Sequence, residues 1–175
     1  MNTPTVQRFR WFWAWDDEKE EFWLRQMALA GFHLVSPNPF GVYTFSPGEK
    51  QDVAYRLDYA TSKYNTAEYY QLFQDAGWEH VGQMGGWQYW RKPVSSGQEA
   101  PEIFTDNESK IQKYRRVLGV MIIVLPLLTI GLINISNHAR TSWSGAIIFI
   151  NGMVAILLCY AAARIVLRIR ALQRR

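Results

Sequence analysis

Two uncharged apolar runs of 19 residues each constrain this 175-residue chain more than any other feature. Residues 117–135 read VLGVMIIVLPLLTIGLINI, and residues 145–163 read GAIIFINGMVAILLCYAAA. An α-helix rises 1.5 Å per residue, so each run reaches about 28 Å, close to the roughly 30 Å hydrocarbon core of a bilayer. Both runs are apolar all round, whereas a helix on a soluble protein's surface keeps a polar face. Only residues 136–142 join them, so the pair is expected to form a tight transmembrane hairpin.

Basic residues bracket that pair. Lys110, Lys113, Arg115 and Arg116 precede it, and Arg164, Arg168, Arg170, Arg174 and Arg175 follow it, against Arg140 and His138 in the link. Lys and Arg accumulate on the cytoplasmic side of spanning helices. Both termini are therefore expected in the cytoplasm, with the chain multi-pass in the inner (plasma) membrane. Lys110, Lys113, Arg115, Arg116, Arg164 and Arg168 would lie at the membrane interface. The opening MNTPTVQRFRWFWAWDD has no uncharged apolar run and does not read as a signal peptide. Pro126 and Gly131 are expected to kink the first span. Gly145, Gly152 and Cys159 recur every seven residues along the second. Such a stripe lets helices approach closely, either within the hairpin or in an oligomer. Neither run contains an acid or a base, which argues against an ion or proton path.

The formal charge of +4 belongs to the C-terminal half. Residues 96–175 carry a net +6 and residues 1–95 a net −2, so the basic balance does not point to nucleic acid. The aromatics divide the other way: 21 of the 26 lie before Lys92. One cysteine excludes an internal disulfide and a multi-cysteine metal site.

The aromatic half repeats itself. Ala30-Gly31-Phe32 returns as Ala76-Gly77-Trp78 after 46 residues, and residues 41–45 (GVYTF) return as 86–90 (GWQYW) after 45. Helical stretches precede each Ala-Gly-aromatic. In residues 17–30 Phe22, Trp23, Met27 and Ala30 share a face; in residues 66–76 Tyr69, Leu72, Phe73 and Ala76 do. Strand-like runs precede the helices, at residues 9–15 and 53–59, with Val53, Tyr55, Leu57 and Tyr59 alternating against Arg56 and Asp58. Gly31 and Gly77 suit the left-handed helix end. Residues 36–39 (SPNP) and 83–86 (QMGG) read as hairpin turns. Two β-α-β-β units with antiparallel pairing follow: an α+β domain over residues 1–92. Residues 93–107 read as a flexible linker. Residues 108–175 carry the hairpin, with a helix starting near Thr105 in a capping box with Glu108.

No constellation supports catalysis. Gly82, Gly85 and Gly86 make no phosphate loop, and there is no Gly-x-Ser-x-Gly elbow and no metal-binding His pair. The acids at residues 16–21 read as helix capping, through Asp16 or Asp17, with charges favouring the helix N-terminus. His33 and His80 are offset by 47 and should face different ways. Arg56 and Asp58 form either a solvated face or a polar patch beside an aromatic wall. Trp11, Trp13 and Trp15, with Trp87 and Tyr89, form either core filling or an exposed surface for a partner, a membrane face or an apolar cationic ligand. The candidate binding set is therefore Trp11, Trp13, Trp15, Arg56, Asp58, Trp87 and Tyr89, with Gly145 and Gly152 for helix packing. No metal and no cofactor is expected.

Residues 9–16 (FRWFWAWD), Trp23-Leu24, residues 30–34 (AGFHL), 55–59 (YRLDY), 73–79 (FQDAGWE) and 87–92 (WQYWRK) resemble a bacterial membrane-protein family, domain of unknown function 2812. The similarity covers nearly all of residues 8–92. Family members typically join this domain to C-terminal spans, and their genes often lie beside PadR winged-helix regulators. The resemblance implies a membrane-anchored regulatory partner and supplies no catalytic residues. The resulting expectation is a non-enzymatic binding or regulatory module that captures a protein, a transcriptional regulator among the candidates, or senses a ligand. The alternative is a structural or accessory subunit of a membrane oligomer.

Overall fold

A computed structural model describes residues 4–60, 66–95, 98–103, 107–138 and 144–174. The chain divides into two compact units, Met1–Asp106 and Asn107–Arg175. The first contains β1 (Val6–Phe9), α1 (Asp17–Leu29), β2 (Phe32–Ser36), β3 (Val42–Pro47), β4 (Val53–Tyr59), α2 (Ala67–Asp75), β5 (Glu79–Met84) and β6 (Trp87–Pro93). The second contains α3 (Asn107–His138) and α4 (Ser144–Gln173).

The two β-α-β-β units form two antiparallel three-stranded sheets, ordered β1-β3-β2 and β4-β6-β5. Each places its last strand in the middle. The duplication reaches fine detail. β2 slips register between Leu34 and Ser36, and β5 slips between His80 and Gly82. Leu34 pairs with Phe45 as His80 pairs with Trp90, so the repeat keeps both its 46- and its 45-residue offsets. His33 and His80 accordingly fall at non-equivalent sites, as their spacing predicts.

Local sequence accounts for the ends of the elements. Gly31 and Gly77 leave their helices at φ of 86° and 79°, where a Cβ would be strained. Behind Gly77 the Trp78 N–H donates to the Phe73 carbonyl and the Gly77 N–H to Gln74, a Schellman close. The β5–β6 hairpin turns on Gly85 and Gly86, both at positive φ, in a two-residue turn matching the strand twist. Thr66 caps α2 by accepting the Tyr69 N–H.

One expected strand is displaced: β1 runs over Val6–Phe9 rather than over residues 9–15. β1 ends at Phe9, so Trp11, Trp13 and Trp15 lie in the connection to α1. Among the described residues, the run beyond Phe9 finds no strand to pair with: β3, its neighbour in the sheet, begins at Val42 opposite Phe9.

The core is layered around α1. Leu24 and Ala28 of α1, Leu34, Tyr43 and Phe45 of the first sheet, and Val53, Tyr55, Leu57 and Tyr89 of the second form one buried cluster. The other face of the second sheet meets α2, where Ala54, Phe73, Trp78 and Trp90 are buried and Phe73 stacks on Trp90 at 4.5 Å. The second sheet is thus covered on both faces. That is why Arg56 and Asp58 on β4, alternating in sequence like a solvated edge, are not exposed.

Residues 93–95 and 98–103 include several that pack on the domain. The Val94 N–H donates to Asp52, Val94, Ala100 and Ile103 pack against the Phe73 cluster, and Glu102 pairs with Arg56 at 2.8 Å. Thr105, the expected cap of the next helix, lies outside the described residues, as does most of the 136–142 link.

α3 runs through Pro126 as one helix and packs antiparallel on α4. The Asn107 amide donates to the Leu172 carbonyl, and Arg168 Nε donates to the Tyr114 hydroxyl at 2.8 Å. Ile111, Tyr114, Val117, Ala161, Ile165 and Ile169 form the buried seam, near the ends that bear the basic residues. Both helices are long and apolar enough to cross a membrane, and only 11% and 6% of their apolar windows are buried. A core helix of a soluble domain would bury most of that surface.

Candidate functional site

The site grows from the way α1 is buried. Asp17, Glu20, Glu21, Leu24 and Ala28 face inward. They recur at helical spacing, so the inward face carries three carboxylates. Asp16 holds the N-cap position and Asp17, Glu18 and Glu20 stand in the first turn, as expected, but the Asp16 side chain makes no cap bond and pairs with Lys19 at 2.6 Å. Phe22, expected on the buried face, is exposed, and Trp23 and Met27 flank the core. On α2 the inward residues are Tyr69, Tyr70 and Phe73, while Leu72 is exposed.

A buried carboxylate needs donors. Glu20 Oε1 accepts the hydroxyls of Tyr43 at 2.7 Å and Tyr89 at 2.6 Å, one from each sheet. Burial raises the Glu20 carboxyl above its ordinary value, opposed by those two hydrogen bonds and helped by Asp17. Burial, with the Glu20 charge beside them, pushes both phenols up. Glu21 Oε1 accepts the Leu57 N–H at 2.8 Å, and Glu21 Oε2 lies 3.6 Å from the Arg56 guanidinium. Leu57 sits on the free edge of β4, so Glu21 occupies a donor that would otherwise invite another strand. These groups join the two repeats.

The exposed chemistry lies on the other side of the 9–15 connection. Its residues alternate. Arg10 and Phe12 turn toward α1, where the Arg10 guanidinium sits 5.3 Å from the Phe12 ring and 5.4 Å from Trp23. Arg10, Glu18, Lys19, Phe22, Trp23 and Gln26 line an open groove of about 600 Å³ along α1. Phe9, Trp11 and Trp13 turn outward, 72%, 52% and 40% exposed. Trp11 meets Trp13 edge-on at 5.8 Å, and Trp13 stacks on the buried Trp15 at 5.4 Å. The 38–41 turn joins this ridge. Gly41, at φ 74°, accepts the Arg10 N–H at its carbonyl, and a Cβ there would stand 3.2 Å from the Phe9 ring and 3.3 Å from Trp11. Phe40 beside it is fully displayed.

The rest of the candidate set is dispersed. Tyr89 belongs to the Glu20 network. Asp58 is buried and accepts the Tyr69 hydroxyl at 3.1 Å, and Trp87 packs edge-on against Tyr59. Arg56 bonds Glu102 and the Tyr55 carbonyl, with its Nε buried and unpaired. None of these joins the tryptophan ridge. His80 bonds Gln88, and His33 bonds the Glu49 carbonyl at the lip of a polar cleft with Glu79 and Arg91. Those two are locked in a bidentate pair, and Arg91 depresses the Glu79 carboxyl. Among the described residues, no three His, Cys, Asp or Glu side chains converge as a metal requires.

In the second unit, Lys113 is buried and reaches the Tyr114 ring, as does Arg168, so two of the six basic residues serve the helix seam. Gly145 and Gly152 meet nothing within 4 Å, and Cys159 is exposed. Among the described residues, nothing packs on Gly145 or Gly152.

The sequence pattern concealed Phe9, Phe22, Phe40 and the inward acids. An i, i+3, i+4, i+7 spacing that admits Glu as well as Leu would have found the latter.

Neither a curated protein nor a solved structure matches the chain. The family model described as Protein of unknown function (DUF2812) matches residues 16–125, beginning after the tryptophan ridge and continuing through both repeats into the apolar part of α3. With well over half its length matched, the chain belongs to that family.

Proposed function

We propose that the protein is a membrane-anchored binding module without catalytic activity, whose cytoplasmic domain captures a protein partner in the groove along α1. The groove is the observation that supports this reading. Phe22 and Trp23 give it an apolar floor, and Arg10, Lys19 and Glu18 a charged rim of both signs. Apolar centres with polar rims, rich in Trp and Arg, are the anatomy of protein interfaces. Placement in the inner membrane, with both termini cytoplasmic, rests on the two apolar helices and on the basic residues at one end of the pair. A winged-helix regulator is the partner the family resemblance offers.

The test is affinity purification of the full chain from its own membranes in mild detergent, beside Phe22→Asp. Phe22 is exposed, so its replacement should change stability by about 0.5 kcal/mol or less. A stoichiometric cytosolic protein is expected with the wild type, and its retention should fall about 30-fold in the variant, as for an interface hot spot. Equal retention by both would defeat the groove as the binding site.

A second reading, assembly through α4, is favoured by the open Gly145 and Gly152 stripe. Leucines at both positions should reduce oligomer size in detergent; an unaltered size removes this reading.

A further inference from the structure

We infer that the ridge of Phe9, Trp11, Trp13 and Phe40 docks on an anionic lipid surface. The inference rests on the membrane-anchored reading above but concerns the opposite face of the 9–15 connection from the groove. Four large aromatics stand exposed side by side on an otherwise well-packed domain, and the Gly41 turn holds them together. Charge selects among occupants. Residues 4–15 and 32–48, which supply the strands and turns of this sheet, contain no Asp or Glu, while Arg8 and Arg10 alternate with Phe9 and Trp11 along the chain and stand on the other face of the same edge, over Phe32 and over Phe12 and Trp23. A half of the chain that is acidic overall thus presents an acid-free aromatic edge with two arginines close behind it.

Tryptophan settles at the boundary between headgroups and acyl chains, and each arginine near an anionic surface strengthens attachment about fivefold. Chain length keeps the domain close to the bilayer that the anchor would span. Three residues separate Ile103, packed on the domain, from Asn107, which opens α3. The stretch from Ile103 to Asn107 spans at most about 14 Å. Ten more residues, about 15 Å of helix, lead to the first apolar run. The fixed anchor supplies the high local concentration that a weak aromatic edge requires.

The experiment uses the full chain with Trp143→Phe, which removes the tryptophan between the two apolar runs. It is reconstituted in vesicles of phosphatidylglycerol carrying brominated acyl chains, and tryptophan quenching is read. Quenching is expected, and the further replacements Trp11→Phe and Trp13→Phe should abolish most of it with an unchanged circular dichroism spectrum. Phosphatidylcholine vesicles should quench less, and Arg8→Gln should bring the phosphatidylglycerol signal down toward that level. Equal quenching with and without Trp11 and Trp13 would overturn the inference. So would a ridge shielded by a co-purified protein but untouched by brominated lipid. A chain that enters the bilayer without ridge quenching defeats this inference alone; a chain that never enters it defeats the anchored reading and this inference together.

Discussion

Glu20 is the residue on which the two repeats are joined, and its chemistry gives a signed expectation. Its carboxyl is raised from 4.5 because burial outweighs the two phenolic hydrogen bonds. The unfolded chain therefore releases this proton first as pH rises. Stability from Glu20 is full below its ordinary value and falls as pH climbs from there to the raised one. Glu20→Gln keeps an Oε1 for both phenols and removes the charge. It should match the wild type near pH 3.5 and exceed it at pH 7, measured by denaturation at both pH values. Glu20→Ala should cost about 2–4 kcal/mol, because two buried hydroxyls lose their acceptor. The Arg25–Asp52 pair behaves oppositely. Its bidentate bonds hold Asp52 below the usual range, so its contribution is present above the ordinary aspartate value and lost as pH falls through the lowered one. With both side chains about a third exposed, Arg25→Ala should cost no more than about 1 kcal/mol by the same denaturation assay.

At the scale of elements, the turn between β5 and β6 separates conformation from contact. Gly85 at φ 56° has open space where a Cβ would go, whereas a Cβ on Gly86 at φ 91° would come within 2.8 Å of the Tyr59 ring. Gly85→Asn should be nearly neutral, because Asn tolerates the left-handed region. Gly86→Ala should cost about 2–3 kcal/mol from strain and displacement of Tyr59. Thermal unfolding of the two variants checks the contrast, and equal losses would refute it. The turn, both helix-ending glycines and β4 were legible because each depends on a residue and its immediate neighbours. The inward face of α1 was not. Apolar periodicity selects Phe22, yet that residue is exposed, and the acids are inside because Tyr43 and Tyr89, arriving from distant strands, supply their donors.

At the scale of the whole molecule, the first unit has a buried core built from its own residues. Residues 1–106 made alone should unfold cooperatively, with Leu24→Ala lowering stability by about 2–5 kcal/mol, as removal of a fully buried leucine does. Non-cooperative melting of that fragment would refute its independence. The full chain, by contrast, should stay with membranes through alkaline carbonate washing, since the apolar windows of α3 and α4 are almost entirely uncovered. Release into the supernatant would contradict the spanning reading.

The sequence by itself determined that two helices can cross a bilayer, that two β-α-β-β units precede them, and where their glycine turns fall. Run length, periodicity and positive φ are local properties, readable wherever a residue and its neighbours suffice. Only the tertiary structure decided what each aromatic and each acid does. Trp11 and Trp13 emerge because β1 stops at Phe9 and, among the described residues, no strand pairs with the connection beyond it, while Trp15, two residues on, is buried. Asp58 and Arg56 are enclosed because α2 and residues 98–103 fold back over β4. Burial is a property of what arrives from elsewhere in the chain, and alternation along one strand carries no record of it.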